Sequence, residues 1–292
     1  MKTISAGLRT LRCVLGISVA LVACGKEQGA SHERSTERQT QRIVSLAPST
    51  TEALFALGLG PRVVGVSRFC NYPPAAKSLP KVGGFIDPSL EAILALRPTL
   101  VVGARSPNNR GVVRILEQQG VSTYFPTIHS VSDIIGLLGG LAKRTGQEKI
   151  AQARISEIKQ KLASVKAHFP KHKARVLLLF SEQPFSVTGP TSFADDVLTH
   201  AGAINVMGSG PAYPTLSLEH IVSLSPDVIV RAIMEAKSND AESGVQWSRF
   251  TSMPAVKNGK VITIQDDRLL RPGPRIADAV ELLFQSIYGD AP

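Results

Sequence analysis

The chain has 292 residues, 43% of them hydrophobic and 19% charged, and carries a formal net charge of +10. This composition supplies a packed core and excludes an overall disordered chain, a collagen or a disulfide-rich scaffold, and no run of about 18 uninterrupted apolar residues is present to span a bilayer. The charge points first to nucleic acid or anionic lipid, but from Ile43 onward the balance is only 26 Lys and Arg against 20 Asp and Glu.

Residues 1–23 read as a secretory signal. Lys2, Arg9 and Arg12 stand before a ten-residue apolar run, Val14–Ala23, too short to span a bilayer. The run ends in Leu-Val-Ala-Cys, a lipobox pattern that makes Cys24 the lipidated first residue of the mature chain. Residues 24–42 contain no apolar side chain larger than Ala beyond that cysteine, so they bury nothing and read as a tether. Such a chain is exported and lipid-anchored, periplasmic or on the outer face of the cytoplasmic membrane. The membrane then holds it through the anchor only, and export argues against nucleic acid as partner. Cys70 is left without a disulfide partner and reads as a small buried hydrophobe.

From residue 42 short β-branched strands alternate with helices. RIVSLA is a strand, EALFALGLG a helix stopped by glycine, and Val63–Val66 a second strand. SLEAILAL, a helix over 89–96, leads through Pro98 into the strand TLVVGA. A helix near 108–119, a strand near 121–125 and the helix SVSDIIGLLGGLAKRT follow. This alternation predicts a parallel α/β lobe over 43–145.

Thr145-Gly-Gln-Glu148 then has capping-box form, and Ile155, Ile158, Leu162, Val165 and Phe169 recur at spacings of three and four. The pattern predicts one amphipathic helix over 146–169, roughly 35 Å long. Beyond Pro170 the α/β pattern restarts and fills 170–292: strand 174–180, helices over PTSFADDVLTHAG and SLEHIVSL, strands DVIVRA and KVITI, and a closing helix RIADAVELLFQSIYG. SLEAILALRPTLVV (89–102) and SLEHIVSLSPDVIV (217–230) match at seven of fourteen positions without a gap. The chain therefore reads as two related lobes joined by one helix.

Enzyme signatures are missing: there is no GxSxG, HExxH, Walker A or strand-following GxGxxG. Two facing α/β lobes instead offer a cleft beyond the carboxyl ends of their strands. RIVSLAPSTTEALFALG, GVSRFCNYPP and SLEAILALRPTLVVG resemble the solute-binding proteins of ABC importers for cobalamin, haem and iron–siderophores, over about residues 42–288.

The resemblance implies a class III periplasmic-binding-protein fold of two Rossmann-like lobes on a rigid helix, without cofactor or enzymatic activity. It implies a monomer that captures cobalamin or a related corrinoid chelate and delivers it to an ABC permease dimer. It carries the ligand site onto Pro48, Phe69, Phe85, Phe185, Tyr213, Asp267 and Arg271, and permease docking onto Glu91 and Glu219, the third residues of the two SLE motifs. Arg105 and Arg231 would set positive charge near the cleft rim. The chain departs from the cobalamin pattern by holding Phe85, Ala104 and Tyr213 where tryptophans are expected, and by lacking the second lobe's disulfide. Haem or a ferric siderophore is the alternative cargo, with Tyr213 or Tyr72 as axial ligand for haem, and Cys70 within reach of a metal centre. An exported α/β enzyme using Asp267 and Arg271, or a surface adaptor without small ligand, are the readings from other classes.

Overall fold

A computed structural model describes residues 41–232 and 245–289. The signal, Cys24 and nearly all of the expected tether lie outside these residues. The chain from Gln39 onward is one compact unit containing two sheets.

The first half runs β1 (Ile43–Ser45), α1 (Pro48–Ala56), β2 (Val63–Val66), α2 (Leu90–Ala95), β3 (Leu100–Val102), α3 (Arg110–Gln118), β4 (Ser122–Tyr124) and α4 (Val131–Thr145). Its strands pair in the order β2-β1-β3-β4, all parallel. Helix α5 (Glu148–Ala167) follows. The second half runs β5 (Arg175–Glu182), β6 (Phe185–Val187), α6 (Phe193–His200), β7 (Ile204–Asn205), β8 (Thr215–Leu216), α7 (Leu218–Leu224), β9 (Val228–Ala232), α8 (Pro254–Lys257), β10 (Val261–Ile264) and α9 (Ile276–Tyr288).

The second sheet is mixed rather than purely parallel. β10, β9 and β5 run parallel and β7 extends β5 at its start, but β6 and β8 add as antiparallel strands. A tight turn at Gln183-Pro184 folds β6 straight back onto β5, and a two-residue link of this kind allows only antiparallel pairing.

The internal repeat holds in three dimensions. Ser89 and Ser217 each cap their helix, accepting 3.2 Å bonds from the N–H groups of Ala92 and His220. Each helix then ends on a left-handed residue before proline, Arg97 at φ 46° and Ser225 at φ 48°. Each leads into a strand that pairs in parallel with the first strand of its half.

The long helix starts later than expected and without its capping box. Thr145 belongs to the end of α4, where its hydroxyl donates back to the Leu141 carbonyl at 2.8 Å, and Gly146 ends that helix at φ 69°. No room is left for Thr145 to cap α5. The predicted stripe is otherwise in place: Ile158 and Val165 are buried, and Ile155, Leu162 and Phe169 pack beside them. α5 lies against α4 and α9, and one apolar cluster runs from Leu54 and Leu137 through Ile158 to Leu178 and Phe284. The core of the first half is thus continuous with that of the second. Two smaller clusters cover the remaining sheet faces.

Candidate functional site

The loops leaving the carboxyl ends of β1 and β2 are fixed by buried hydroxyls. The Ser45 hydroxyl bonds those of Thr50 and Thr51, each at 2.8 Å. Thr51 and Ser67 both meet Cys70 Sγ at 3.1 Å. Cys70 is therefore a buried structural thiol, 2% exposed, as its composition context suggested. Above it the chain turns outward and leaves Phe69 54% exposed.

A second loop stands beside it. Arg68 donates its backbone N–H to Gly83 O at 2.8 Å, and a turn closes from Gly84 N–H to Asp87 O at 3.3 Å. Gly83 sits at φ 98°, where a Cβ would meet Asp87 O at 2.6 Å, so only glycine fits there. The Arg68 side chain pairs with Asp87 across Gly84. Phe85 and Ile86 occupy the tip of this turn, Phe85 half-buried and Ile86 60% exposed. Turn tips ordinarily carry polar residues; here they present apolar surface.

In the second half Tyr213 is 54% exposed and meets Phe180 edge to face at 5.7 Å. Its loop is seated by Gly189, whose N–H donates to Ala212 O at 2.9 Å and whose Cβ would collide with Pro211 O. Loss of solvent around the hydroxyl raises the Tyr213 phenol above its ordinary value, although the Phe193 backbone bond to it acts the other way.

Between the halves lies an ion network. Glu52 of α1, its side chain 2% exposed, accepts two bonds from Arg275, at 2.8 Å from Nε and 2.6 Å from Nη2. Arg271 lies 3.6 Å from the same carboxylate, 3.2 Å from Asp267, and donates to Asn71 Oδ1 at 2.6 Å. Arg275 also covers the Tyr72 ring at 3.8 Å. Asp267 and Arg271 therefore come together as expected, but in a clasp joining the halves rather than as free cleft walls. Only 10% of the Arg271 side chain remains exposed. Glu52 and Arg275 were missed as its partners; the signal was a lone acid on an otherwise uncharged first helix and a second arginine four residues after Arg271.

Other expected positions fall differently. Phe185 is not a cleft ring: it packs on Trp247 at 6.1 Å in the second-half core, because β6 turns it toward the apolar face. Trp247 is 7% exposed and donates its indole N–H to Glu182 at 2.9 Å. Arg231 is neutralised by the same Glu182, 2.7 Å from its Nε, instead of standing free at the rim. Arg105 donates to Phe125 O at 3.2 Å. Pro48 is half-buried at the start of α1. Glu91 and Glu219 are both exposed in the first turns of α2 and α7. The Glu219 backbone N–H, then the Ser217 hydroxyl, hold the Glu219 carboxyl below its ordinary value.

Two cavities, of about 370 and 440 Å³, open along the seam beside the clasp, sharing Tyr72, Arg275 and Asp278. Neither touches Phe69, Phe85 or Tyr213. Among the described residues no group of three His, Cys, Asp or Glu is placed to hold a metal ion.

Residues 43–268 match the model of a family described as periplasmic binding protein. The vitamin B12-binding protein of Vibrio campbellii is 30% identical over 243 residues, covering 82% of this chain and 86% of that protein. An uncharacterized ABC transporter substrate-binding lipoprotein of Bacillus subtilis, YvrC, is 29% identical over 275 residues, 90% of this chain and 85% of that one. Among solved structures, the periplasmic heme-binding protein RhuT of Roseiflexus sp. RS-1 superposes with a TM-score of 0.75 at 26% identity, covering 86% of this chain and 99% of that one.

Proposed function

The chain belongs to the periplasmic binding protein family, and on that footing we propose that it captures a corrinoid of the cobalamin type and hands it to an ABC permease. The observation that carries this reading is the placing of large rings where packing does not need them. Phe69 and Tyr213 are each more than half exposed, on loops of opposite halves, and Phe85 stands at a turn tip beside the exposed Ile86. Flat rings of this kind suit the faces of a large planar macrocycle. The relatives at 30% identity that bind vitamin B12 support the same cargo. Pro48 and the rim of the clasp at Asp267 complete the surface, with Arg271 acting through its hold on Asn71 rather than as an open contact.

The chain does no covalent chemistry in this reading. Capture is stacking and exclusion of water; delivery rests on Glu91 and Glu219, one exposed acid per half at matching points of the repeat. A haem cargo is the second reading, favoured by the likeness to heme-binding RhuT. It would need an axial ligand, a part that the exposed Tyr213 or Tyr72 would play. Anchoring through Cys24 is supported by the lipoprotein named among the relatives.

Calorimetric titration of the purified protein with cyanocobalamin and with haemin, read alongside visible spectra, tests the assignment. Saturable one-to-one binding of cyanocobalamin with no haemin Soret shift is expected. Haemin binding alone, with an axial-ligand spectrum, would transfer the assignment to haem, and silence from both would remove the corrinoid reading.

A further inference from the structure

The strands of the first half begin at one end of the molecule, and there the surface is basic. Arg42 precedes β1 and donates its Nε to Leu96 O at 3.0 Å, beside Arg97. Arg62 precedes β2 and donates to Thr145 O at 3.3 Å; Lys143, Arg144 and Lys149 flank that residue along the chain. Gln41 closes the ring, reaching Arg144 O at 3.2 Å. All six cations but the half-buried Arg62 are exposed. The exposed acids at this end are Glu148, in the first turn of α5, and Glu117, in the last turn of α3, which accepts the Thr123 hydroxyl at 2.6 Å.

Cations near helix carboxyl ends are expected from the helix dipole alone, and Arg42, Arg62 and Arg144 do serve backbone carbonyls. That role does not account for the set. None of the six pairs with a carboxylate among the described residues. Lys143 sits in the last turn of α4, but Lys149 stands in the first turn of α5, where the dipole disfavours a cation. Arg97 occupies a left-handed position that the second half fills with Ser225, so the turn itself calls for no cation. Beside Lys149 the aliphatic Ile150 is 40% exposed, its Cδ1 3.9 Å from where a Cβ on Gly58 would stand. Clustered cations around an exposed aliphatic side chain match the chemistry of an anionic headgroup layer.

The chain's path selects that partner. It enters the described fold at Gln41, in the middle of this face. Seventeen residue steps separate Gln41 from Cys24, so whatever their conformation a lipid on Cys24 keeps the face within on the order of 60 Å of a bilayer. We propose that the basic face of the first half is a docking surface for anionic phospholipid headgroups, a second membrane contact beyond the anchor. The proposal rests on the reading of Cys24 as the lipid attachment site. Each cation near an anionic surface strengthens adsorption about fivefold. Glu91 sits at the opposite end of α2 from Arg97, so a domain resting on this face holds its permease-facing acid away from the bilayer, and delivery requires it to lift.

The test uses the full protein as a cell produces it, bound to vesicles of phosphatidylcholine alone or with about one third phosphatidylglycerol. Amine labelling is read by mass spectrometry. Lys143 and Lys149 should label at least threefold more slowly on the anionic vesicles, Lys171 and Lys257 equally on both, and the contrast should vanish in about 0.5 M salt, where the Debye length falls to about 4 Å. The variant Arg97→Glu/Lys149→Glu should lose the protection of Lys143. Equal labelling of Lys143 and Lys149 on the two vesicles would overturn the docking surface. The mass of the Cys24 peptide reports separately on the anchor: an unlipidated cysteine sinks that premise, and co-sedimentation with anionic against neutral vesicles then reads the face by itself.

Discussion

Single side chains divide into those the core needs and those it does not, and the two kinds fail differently when removed. Tyr213 is more than half exposed and touches one ring; Phe185 is packed against Trp247 and the second apolar cluster. Tyr213→Ala should leave the melting temperature nearly unchanged while weakening corrinoid binding by about 1 kcal/mol or more, the worth of one stacked ring. Phe185→Ala should do the reverse, lowering stability by about 3 kcal/mol with affinity affected only through unfolding. Calorimetry and thermal melts on both variants check the pair, and equal loss of affinity in both would put Phe185 back in the cleft. Glu52 is a third case. It is a buried acid facing two arginines of the other half. Glu52→Gln leaves those two cations with Asp267 as their one remaining carboxylate and should cost about 3 kcal/mol in urea unfolding, more than Asp267→Asn at the clasp's more exposed edge.

The elements show the same separation of roles. α2 and α7 are short, serine-capped helices whose first turns each present one free acid. Glu91→Ala with Glu219→Ala removes a small, solvent-screened dipole contribution and should leave ligand affinity intact while abolishing ligand-dependent stimulation of the permease ATPase; lost affinity would end the docking assignment. α4 is held at its start by a reciprocal pair, Ser130 on the Asp133 N–H and Asp133 on the N–H groups of His129 and Ser130. The His129 backbone N–H is foremost in lowering the Asp133 carboxyl from its ordinary value, as the Arg268 side chain is for Asp266. Both acids bind protons more weakly folded than unfolded. Their stabilisation is therefore complete above the unfolded value of about 4 and is lost as pH falls through the lower native values. Melts should hold steady from pH 7 to 5 and decline below about 4, less steeply in Asp133→Ala.

Most of these elements were legible because period and punctuation agreed: proline and glycine punctuate the chain, and the duplicated SLE…P…V unit gave a serine-capped helix, a proline turn and a strand twice over; the left-handed residue before each proline came only with the structure. β6 and β8 were not legible. Strands of three and two residues carry no period, and their pairing is decided by a turn and by Trp247 beneath them. Phe69, Phe85 and Tyr213 were singled out because they stand outside any periodic face, and Phe69 and Tyr213 are more than half exposed, whereas Phe185 packs on Trp247. The clasp was not legible, because its Glu52 and Arg275 are 223 residues apart and only the tertiary fold brings them together.

At the scale of the whole chain, the question is whether two α/β halves around a cleft move as separate bodies. Their packing argues that they do not move far. α5 is not a bare strut: Ile158 and Val165 sit in the same apolar cluster as Leu137 of the first half and Phe284 of the second. Polar ties cross as well, from the Val131 N–H to Asp196 at 2.7 Å and from Lys161 to Asp278 and Glu281 at 2.6 and 2.7 Å. Opening the halves widely would expose that shared apolar surface at about 25 cal/mol per Å², a cost that modest cargo contacts do not offset. The halves should therefore unfold together. Trp247, the chain's one tryptophan, reports on the second half alone, whereas far-ultraviolet circular dichroism reports on both. Ile158→Ala, at the junction, should lower stability by about 2–5 kcal/mol and shift the tryptophan and dichroism midpoints by the same amount. Midpoints that separate in this variant would show two independently folding halves on a hinge, and Phe69 and Tyr213 would then be free to approach one another from a wide-open state that the shared core otherwise forbids.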